Sequence, residues 1–141
     1  MDIPDLRRKA DSGNVPAQAM LGSCYLDGIQ VAVDYKEAFR LLSAATAQGA
    51  PRAMANLARM YAEGLGIPKN LPEAIRLYEG AANAGEFFAQ IDLARIYSKG
   101  TGVPVNREAA LKWYSAAAAQ ADRVGDCEEL AEAKAYVANA G

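Results

Sequence analysis

The pattern of apolar and polar positions repeats three times along the 141 residues, with a step of 36 residues and no gap. Small and apolar residues return at the same place in each copy. Among the repeated positions are Leu21, Leu57 and Leu93; Tyr25, Tyr61 and Tyr97; and Gly28, Gly64 and Gly100. A segment of about 20 to 50 residues that recurs in this way is typical of a solenoid, in which similar structural units stack side by side.

Each repeat predicts two helices, and the second repeat shows them most clearly. Residues 51–63 are predicted to form the first helix, because apolar side chains recur there at helical spacing: Ala53, Leu57, Met60 and Tyr61. That helix is expected to end at Gly64, since glycine readily adopts the left-handed conformation found at helix ends. Asn70 is a suitable N-cap for a second helix over residues 71–83, and Glu73 completes the pattern of a capping box.

The same cap recurs in the other repeats, with one difference. Asp34 and Glu37 provide it in the first repeat. The third repeat keeps an N-cap residue, Asn106, but has Ala109 where the other repeats have the acid. Loss of that acid predicts a cap in the third repeat that is weaker by up to about 1 kcal/mol.

The predicted architecture is all-α: a single domain in which two shorter segments cover the ends of three helical hairpins. Stacked repeats share a core, so their outermost faces need a covering element with a polar outer side. Residues 6–12 match the last turns of a second helix, so residues 1–12 are expected to cover the first helix of repeat 1, and a helix with several acidic residues is predicted over 126–139. The predicted boundaries are therefore an N-terminal cap helix at 1–12, repeats at 13–48, 49–84 and 85–120, and a C-terminal capping helix at 121–141.

The second repeat also resembles a known repeat family. Its sequence AMANLARMYAEGLGIPKNLPEAIRLYEGAANAG, residues 53–85, is similar to the Sel-one-like repeat, a branch of the tetratricopeptide repeat superfamily. The resemblance recurs in register over residues 13–120, with two departures. The glycine that follows the repeat leucine is kept as Gly22 but is alanine in the other repeats, and Gln30 replaces the second loop glycine, which predicts a different bend there.

This resemblance implies a right-handed superhelix of helix pairs, with the first helix of each repeat on the concave side. Relatives of this kind resemble adaptors that gather other proteins, often in bacteria. By that resemblance, the chain is expected to be a non-catalytic scaffold that binds a protein or peptide partner in the concave groove. The alternatives are a hydrolase or cell-wall-fragment-binding protein, as suggested for some relatives, and a self-associating regulatory module that forms a weak homo-oligomer.

In each first helix, the residues that lie between the core positions differ from repeat to repeat. Such variation is expected where a surface has been selected to bind a ligand. The candidate partner-binding residues at and beside these positions are Arg52, Asn56, Arg59, Glu63, Phe88, Ile91, Asp92, Arg95 and Lys99. Arg59 and Arg95 are equivalent and would lie about 10 Å apart on stacked helices, where they can hold two acidic groups of an extended peptide. Alternatively, Arg59 pairs with Glu63 and Arg95 with Asp92 as ordinary surface ion pairs.

The aromatic residues are predicted to divide between core and surface. Trp113 and Tyr114 lie at the second-helix position where the related family has a packing aromatic, so they are expected in the core. Phe87 and Phe88 are adjacent on a helix and cannot both face one side. One of the two is therefore expected either to be exposed, where it would offer an apolar contact, or to fill a gap between repeats.

Composition and charge exclude some classes of partner. The 15 basic and 17 acidic residues give a net charge of −2, so no basic excess indicates nucleic-acid binding. No run of about 18 apolar residues predicts membrane insertion. The N-terminus lacks the apolar stretch of a secretion signal, which favours a cytoplasmic protein, although a periplasmic or secreted parent with its signal removed would have the same sequence.

The residue types present give little support to catalysis. The chain has no histidine, which removes imidazole bases and most zinc sites. Cys24 and Cys127 lie about a hundred residues apart and show no metal-ligand spacing, so both are expected in or near the core as reduced thiols. No nucleophile motif or phosphate-binding loop is present. The sequence therefore predicts a protein that is not an enzyme and that uses no cofactor or metal.

Overall fold

The computed structural model describes residues 2–140, which are all-α. Within that range the chain forms nine helices: α1 Ile3–Asp11, α2 Val15–Asp27, α3 Tyr35–Ala47, α4 Pro51–Glu63, α5 Leu71–Asn83, α6 Phe87–Lys99, α7 Arg107–Ala118, α8 Ala121–Val124 and α9 Glu128–Asn139.

The helices follow the predicted repeat. The first and second helices of the three repeats are α2 and α3, α4 and α5, and α6 and α7, and the bounds of α4 and α5 are those predicted for the second repeat. At the C-terminus, α9 begins at Glu128, two residues later than predicted, and the single-turn helix α8 precedes it without having been predicted. The all-α fold with paired helices is thus confirmed, whereas the right-handed superhelix and its groove stay predictions.

The chain divides into two compact units, of which unit 1 extends to Leu77 and unit 2 begins at Tyr78. In unit 1, α2 packs against α1, α3 and α4, and α3 also packs against α4. Ala10 of α1, Ala17 and Leu21 of α2, and Leu41 of α3 meet in one buried cluster. The N-terminal helix therefore covers the first repeat, as the sequence predicts for a cap.

In unit 2, α7 packs against both α6 and α9, and α6 also contacts α9. The buried side chains of this unit include Leu93 of α6, Trp113 and Tyr114 of α7, and Leu130 of α9. The prediction that Trp113 and Tyr114 belong to the core is confirmed.

Small residues let the paired helices approach closely. A Cβ atom added to Gly22 of α2 would lie 2.8 Å from Leu42 Cγ and Cδ2 in α3, closer than side-chain carbons pack. The equivalent alanines, Ala58 and Ala94, are fully buried. The small residue at this position therefore lets the first helix of each repeat lie close to its neighbouring helices. In the first repeat it is glycine because the Leu42 side chain leaves no room for a Cβ atom.

The structure confirms the N-caps of the second helices but corrects the capping box. The side-chain oxygens of Asp34, Asn70 and Asn106 accept hydrogen bonds from the backbone N–H groups three residues on, at 3.1, 3.2 and 3.0 Å. The backbone N–H of each cap residue, however, donates to the carbonyl of the repeated tyrosine in the preceding helix, at 2.8 to 2.9 Å. These tyrosines are Tyr25, Tyr61 and Tyr97.

The acids of the expected capping box have a different role. Glu37 accepts a hydrogen bond from Arg40 at 2.9 Å, and Glu73 accepts from Arg76 at 3.1 Å, each along its own helix surface. Since the tyrosine carbonyl already accepts the N–H that the acid was expected to bind, Ala109 leaves no donor unsatisfied. The capping-box contact expected for these acids is therefore absent from the first and second repeats, and the strength of the cap in the third repeat stays a prediction.

The loop at Gln30 keeps the backbone conformation of its glycine-containing counterparts. Gln30 has φ 61°, close to 72° at Gly66 and 71° at Gly102. The prediction of a different bend is therefore wrong. Gln30, unlike the glycines of the other repeats, has a side chain and still adopts the left-handed conformation. Gln30 is exposed, so its side chain has room, whereas at Gly66 an added Cβ would collide with the Tyr35 side chain.

Replacing Gln30 by glycine is expected to raise the free energy of unfolding by about 0.5 kcal/mol. Relief of the left-handed conformation contributes about 1–2 kcal/mol, and the greater freedom of glycine in the unfolded chain offsets about 0.5–1 kcal/mol. Urea denaturation followed by circular dichroism would measure the change. The matched control is Gln48→Gly, since Gln48 is exposed and has φ −95°; stabilisation by both substitutions would contradict the explanation.

Candidate partner-binding surface

In unit 1 the four predicted site residues lie along α4, with different degrees of exposure. Arg52 and Glu63 are exposed, and Asn56 and Arg59 are half-buried. Asn56 Nδ2 donates a hydrogen bond to Ser23 Oγ of α2 at 2.8 Å. These residues share the surface on which α4 packs beside α2.

Arg59 already has carboxylate partners within unit 1. Its guanidinium pairs with Asp27 at the end of α2 and lies 3.7 Å from Glu63 Oε2, one turn along α4. The ordinary pairing with Glu63 is therefore present, and Asp27 is an additional partner that the sequence analysis did not identify. A peptide carboxylate at Arg59 would have to compete with both.

In unit 2 the predicted site residues lie on α6, but not all of them are accessible. Phe88 is 47 % exposed and Lys99 is exposed, while Asp92 and Arg95 are half-buried. Ile91 is only 1 % exposed, so the prediction that it contacts a partner is wrong. The Ile91 side chain lies among buried residues. The variation of this position from repeat to repeat did not indicate that burial.

The adjacent phenylalanines behave as predicted. Phe87 is 3 % exposed and Phe88 is 47 % exposed, and their rings meet edge to face with centroids 5.1 Å apart. Phe88 is one of the exposed large apolar side chains of the described chain. It remains a candidate contact, because burying an exposed aromatic ring is a large favourable term in protein association.

Arg95 is the centre of a network that joins α6 to α9 and α7. Its Nε and Nη2 atoms donate to Glu132 of α9 at 2.9 and 2.6 Å, and Nη1 lies 3.4 Å from Asp92 Oδ1. The Tyr114 hydroxyl donates to the same Glu132 carboxylate at 2.5 Å. Glu132 thus occupies the position at Arg95 where the sequence analysis expected an acidic group of a peptide.

The network shifts the pKa values of its members in the directions expected from these contacts. Hydrogen bonds from Arg95 are the main reason that the pKa of Glu132 is lowered, and the bond to Glu132 raises the pKa of Arg95. Burial, followed by the bond to Glu132, raises the pKa of Tyr114 to about 12. At neutral pH the carboxylate and the guanidinium are therefore both charged and paired.

Unit 1 also contains an open apolar cavity, of about 510 Å³, between α2 and the beginning of α4. Its lining residues are Val15, Pro16, Ala19, Met20, Ser23, Cys24, Ile29, Ala50, Pro51 and Arg52. Two of these apolar side chains are unusually accessible, since Met20 is 50 % exposed and Ile29 is 46 % exposed. Arg52 is the lining residue that carries a charge.

The sequence contained partial signals for this cavity. Met20 occupies the position held by Asn56 and Asp92 in the other repeats, so an apolar residue stands where a polar one is usual. Ile29, by contrast, follows the left-handed Gly28 in a loop, outside any helical pattern. Its position beside α2 depends on how that loop folds back, which the spacing of residues along the chain does not predict.

The described residues offer little for metal binding or for a membrane. Within residues 2–140, no three His, Cys, Asp or Glu side chains come close enough together to hold a metal ion. None of the described helices has the length and hydrophobicity needed to cross a lipid bilayer. Cys24 is buried, which raises the pKa of its thiol, and Cys127 is half-buried.

The sequence matches the model of the Sel1 repeat at three places, residues 15–49, 51–86 and 88–122. These segments begin slightly later than the predicted repeats but coincide with the same helix pairs, α2–α3, α4–α5 and α6–α7. No curated protein sequence matches the chain closely enough to count as a relative.

Several solved structures are similar to this chain, among them proteins from three bacteria. A Sel1 repeat protein from Oxalobacter formigenes is 40 % identical, with a TM-score of 0.76 and 98 % of each chain covered. A protective antigen of uropathogenic Escherichia coli strains, which displays the same repeat fold, is 30 % identical with a TM-score of 0.77; the match covers 96 % of this chain and 32 % of the antigen. Cysteine-rich protein B of Helicobacter pylori is 20 % identical, with a TM-score of 0.69 and coverage of 94 % and 97 %, and shows the shared fold alone.

The three matched segments contain more than half of the residues, and they agree with the helix pairs of the structure. The chain therefore belongs to the Sel1 repeat family.

Proposed function

We propose that this chain is a non-catalytic scaffold that binds a protein or peptide through the exposed surface of its first helices. The Sel1 repeat fold is typical of proteins that interact with other proteins. The observation that carries the proposal is the open cavity in unit 1, because its wall includes the predicted contact Arg52 together with Pro16 and Ser23, the first-repeat equivalents of Arg52 and Arg59. A concave, mostly apolar surface with few polar groups is the usual form of a binding site.

Two exposed residues are better probes of this surface than the arginine pair expected from the sequence. Arg59 and Arg95 hold carboxylates of their own chain, so replacing them disturbs internal contacts as well as any external one. Arg52 and Phe88 are exposed on the first helices of their repeats, in unit 1 and unit 2 respectively. Their truncation removes candidate contacts and breaks no ion pair among the described residues, and at Phe88 it also removes the ring contact with Phe87.

The double substitution Arg52→Ala with Phe88→Ala is expected to weaken partner binding about tenfold or more, equivalent to about 1.4 kcal/mol. The measurement selects peptides from a random display library on the immobilised chain and then compares their affinities for each variant by fluorescence polarisation. The matched control is the double substitution Arg76→Ala with Val105→Ala. It removes one exposed arginine and one exposed apolar side chain that lie outside the first helices. Failure to select any peptide, or equal losses in both variants, would reject the proposal.

A further inference from the structure

We infer that the cavity between α2 and α4 in unit 1 binds a peptide segment in which a large apolar side chain is adjacent to an acidic residue. The apolar side chain would enter between Met20 and Ile29, and the carboxylate would pair with Arg52. This inference rests on the proposed function and adds to it the site and the chemistry of the partner.

The cavity has the size and lining of a site for an apolar group. Its volume of about 510 Å³ falls within the range of about 300–1,000 Å³ typical of small-ligand pockets. Val15, Pro16 and Ala19 line one side, from the first turns of α2, and Ala50 and Pro51 line the other, from the beginning of α4. Ser23 Oγ contributes a polar group, but it already accepts a hydrogen bond from Asn56.

Met20 and Ile29 supply the apolar surface that a partner would cover. About half of each side chain is exposed to solvent at the cavity. An exposed cluster of large apolar side chains is typical of an interaction site. Methionine is flexible and polarisable, so Met20 can adapt to side chains of different shape, and the site is expected to accept leucine, methionine or phenylalanine.

Charge complementarity determines which residue should accompany the apolar one. In unit 1, the arginines other than Arg52 each lie within 4.0 Å of a carboxylate oxygen of the chain. They are Arg7, Arg8, Arg40, Arg59 and Arg76. Arg52 has no such partner among the described residues of that unit, although it stands at the mouth of the cavity. Its guanidinium is therefore available to a carboxylate of the partner, which it can bind with two parallel hydrogen bonds.

The pair of large apolar side chains at this cavity is particular to the first repeat. At the position of Met20 the other two repeats have Asn56 and Asp92, and at the position of Ile29 they have Leu65 and Thr101. The third repeat therefore carries an acid and a hydroxyl where the first has two large apolar side chains. A partner selected by this chemistry is expected on α2 and the beginning of α4, and not at the equivalent place on α6.

The test uses three labelled peptides that share flanking Gly-Ser residues and differ in a central pair: Leu-Asp, Leu-Lys and Ser-Asp. Their binding to the full chain is followed by fluorescence polarisation, and the contacted residues by amide shifts in nuclear magnetic resonance spectra. The Leu-Asp peptide is expected to bind at least about tenfold more tightly than the other two. It is expected to shift the amides of α2 and the first turn of α4.

Reversing the charge of Arg52 distinguishes peptide binding at this cavity from binding at other surfaces of the chain. Arg52→Glu is expected to weaken Leu-Asp binding about tenfold and to make the Leu-Lys peptide the tighter ligand. The matched control, Arg76→Glu, changes charge equally at an exposed residue of α5 in the same unit and is expected to leave the preference unchanged. Circular dichroism would verify that both variants keep their helices.

Three results would overturn the inference. The first is equal binding of the three peptides by the parent chain, and the second is no binding of Leu-Asp at concentrations up to about 1 mM. The third is a dimer of the free chain that Arg52→Glu dissociates, which would identify a second copy as the occupant. Peptides that are selected from the display library and depend on Phe88 but not on Arg52 would reject this site while leaving the proposed scaffold function in place.

Discussion

Replacing Leu93 by alanine is expected to lower the free energy of unfolding by about 3 kcal/mol. Leu93 is the repeat leucine of the third repeat and is fully buried on α6. The substitution removes apolar contacts and leaves a cavity that the surrounding helices fill only in part, since α6 is packed closely against α7. Urea denaturation monitored by far-ultraviolet circular dichroism would give the free energy from the transition midpoint and slope.

The matched control for this prediction is Leu111→Ala. Leu111 belongs to α7 in the same unit but is only half-buried, so its truncation is expected to lower the free energy of unfolding by about 1 kcal/mol. Equal effects at the two positions would contradict the assignment of Leu93 to a tightly packed core. A loss at Leu93 no larger than about 0.5 kcal/mol would contradict it as well.

Replacing Glu132 by glutamine is expected to lower the free energy of unfolding by about 1.5 kcal/mol at neutral pH. Hydrogen bonds to a charged group contribute about 1.5–3 kcal/mol each, and Glu132 accepts them from Arg95 and Tyr114. The total is reduced because Arg95 and Glu132 are 38 % and 34 % exposed, which lets solvent screen the pair. Urea denaturation of both proteins at several pH values would measure the difference.

The pH dependence of that difference follows from the lowered pKa of Glu132. Its ordinary value is 4.5, and the folded-state value lies below it because Arg95 stabilises the carboxylate. A group with a lowered folded-state pKa stabilises the protein above its unfolded-state pKa, and that stabilisation is lost as the pH falls through the folded-state pKa. The difference between the parent chain and Glu132→Gln is therefore expected to be full above pH 4.5 and to shrink in more acidic solution.

Glu128→Gln is the control for this experiment, since Glu128 lies on α9 but is exposed. Its substitution is expected to change the free energy of unfolding by less than about 0.5 kcal/mol. A difference for Glu132→Gln that stays constant from neutral to strongly acidic pH would show that the carboxylate charge is not what stabilises the contact with Arg95.

The two arginines expected to recognise a peptide show how far the sequence analysis of the site extends. Repeat alignment correctly placed Arg59 and Arg95 at equivalent positions on α4 and α6, and it identified Glu63 and Asp92 as their partners along the helix. It did not identify Asp27 or Glu132, which belong to neighbouring helices. Those two carboxylates depend on the packing of one helix against another, and they reduce the availability of both guanidiniums to a ligand.

The cavity in unit 1 depends even more on packing. Arg52 was among the predicted contacts, whereas Met20 was not, although the equivalent residues Asn56 and Asp92 are polar. The remaining wall combines the first turns of α2, a loop residue and the beginning of α4. Residues that are distant in the sequence form one surface there, so the volume and the exposure of Ile29 could be obtained only from the folded chain.

The sequence by itself determined the repeat, the helix pairs, the left-handed glycines and the N-cap side chains. Each of these depends on a residue and its near neighbours, and the 36-residue period supplied three independent copies of the pattern. Only the tertiary structure decided that the repeated tyrosine carbonyls accept the cap N–H groups, that Ile91 is buried and that Glu132 meets Arg95. Those contacts depend on the distances between helices and on side-chain rotamers, which the order of residues along one helix does not specify.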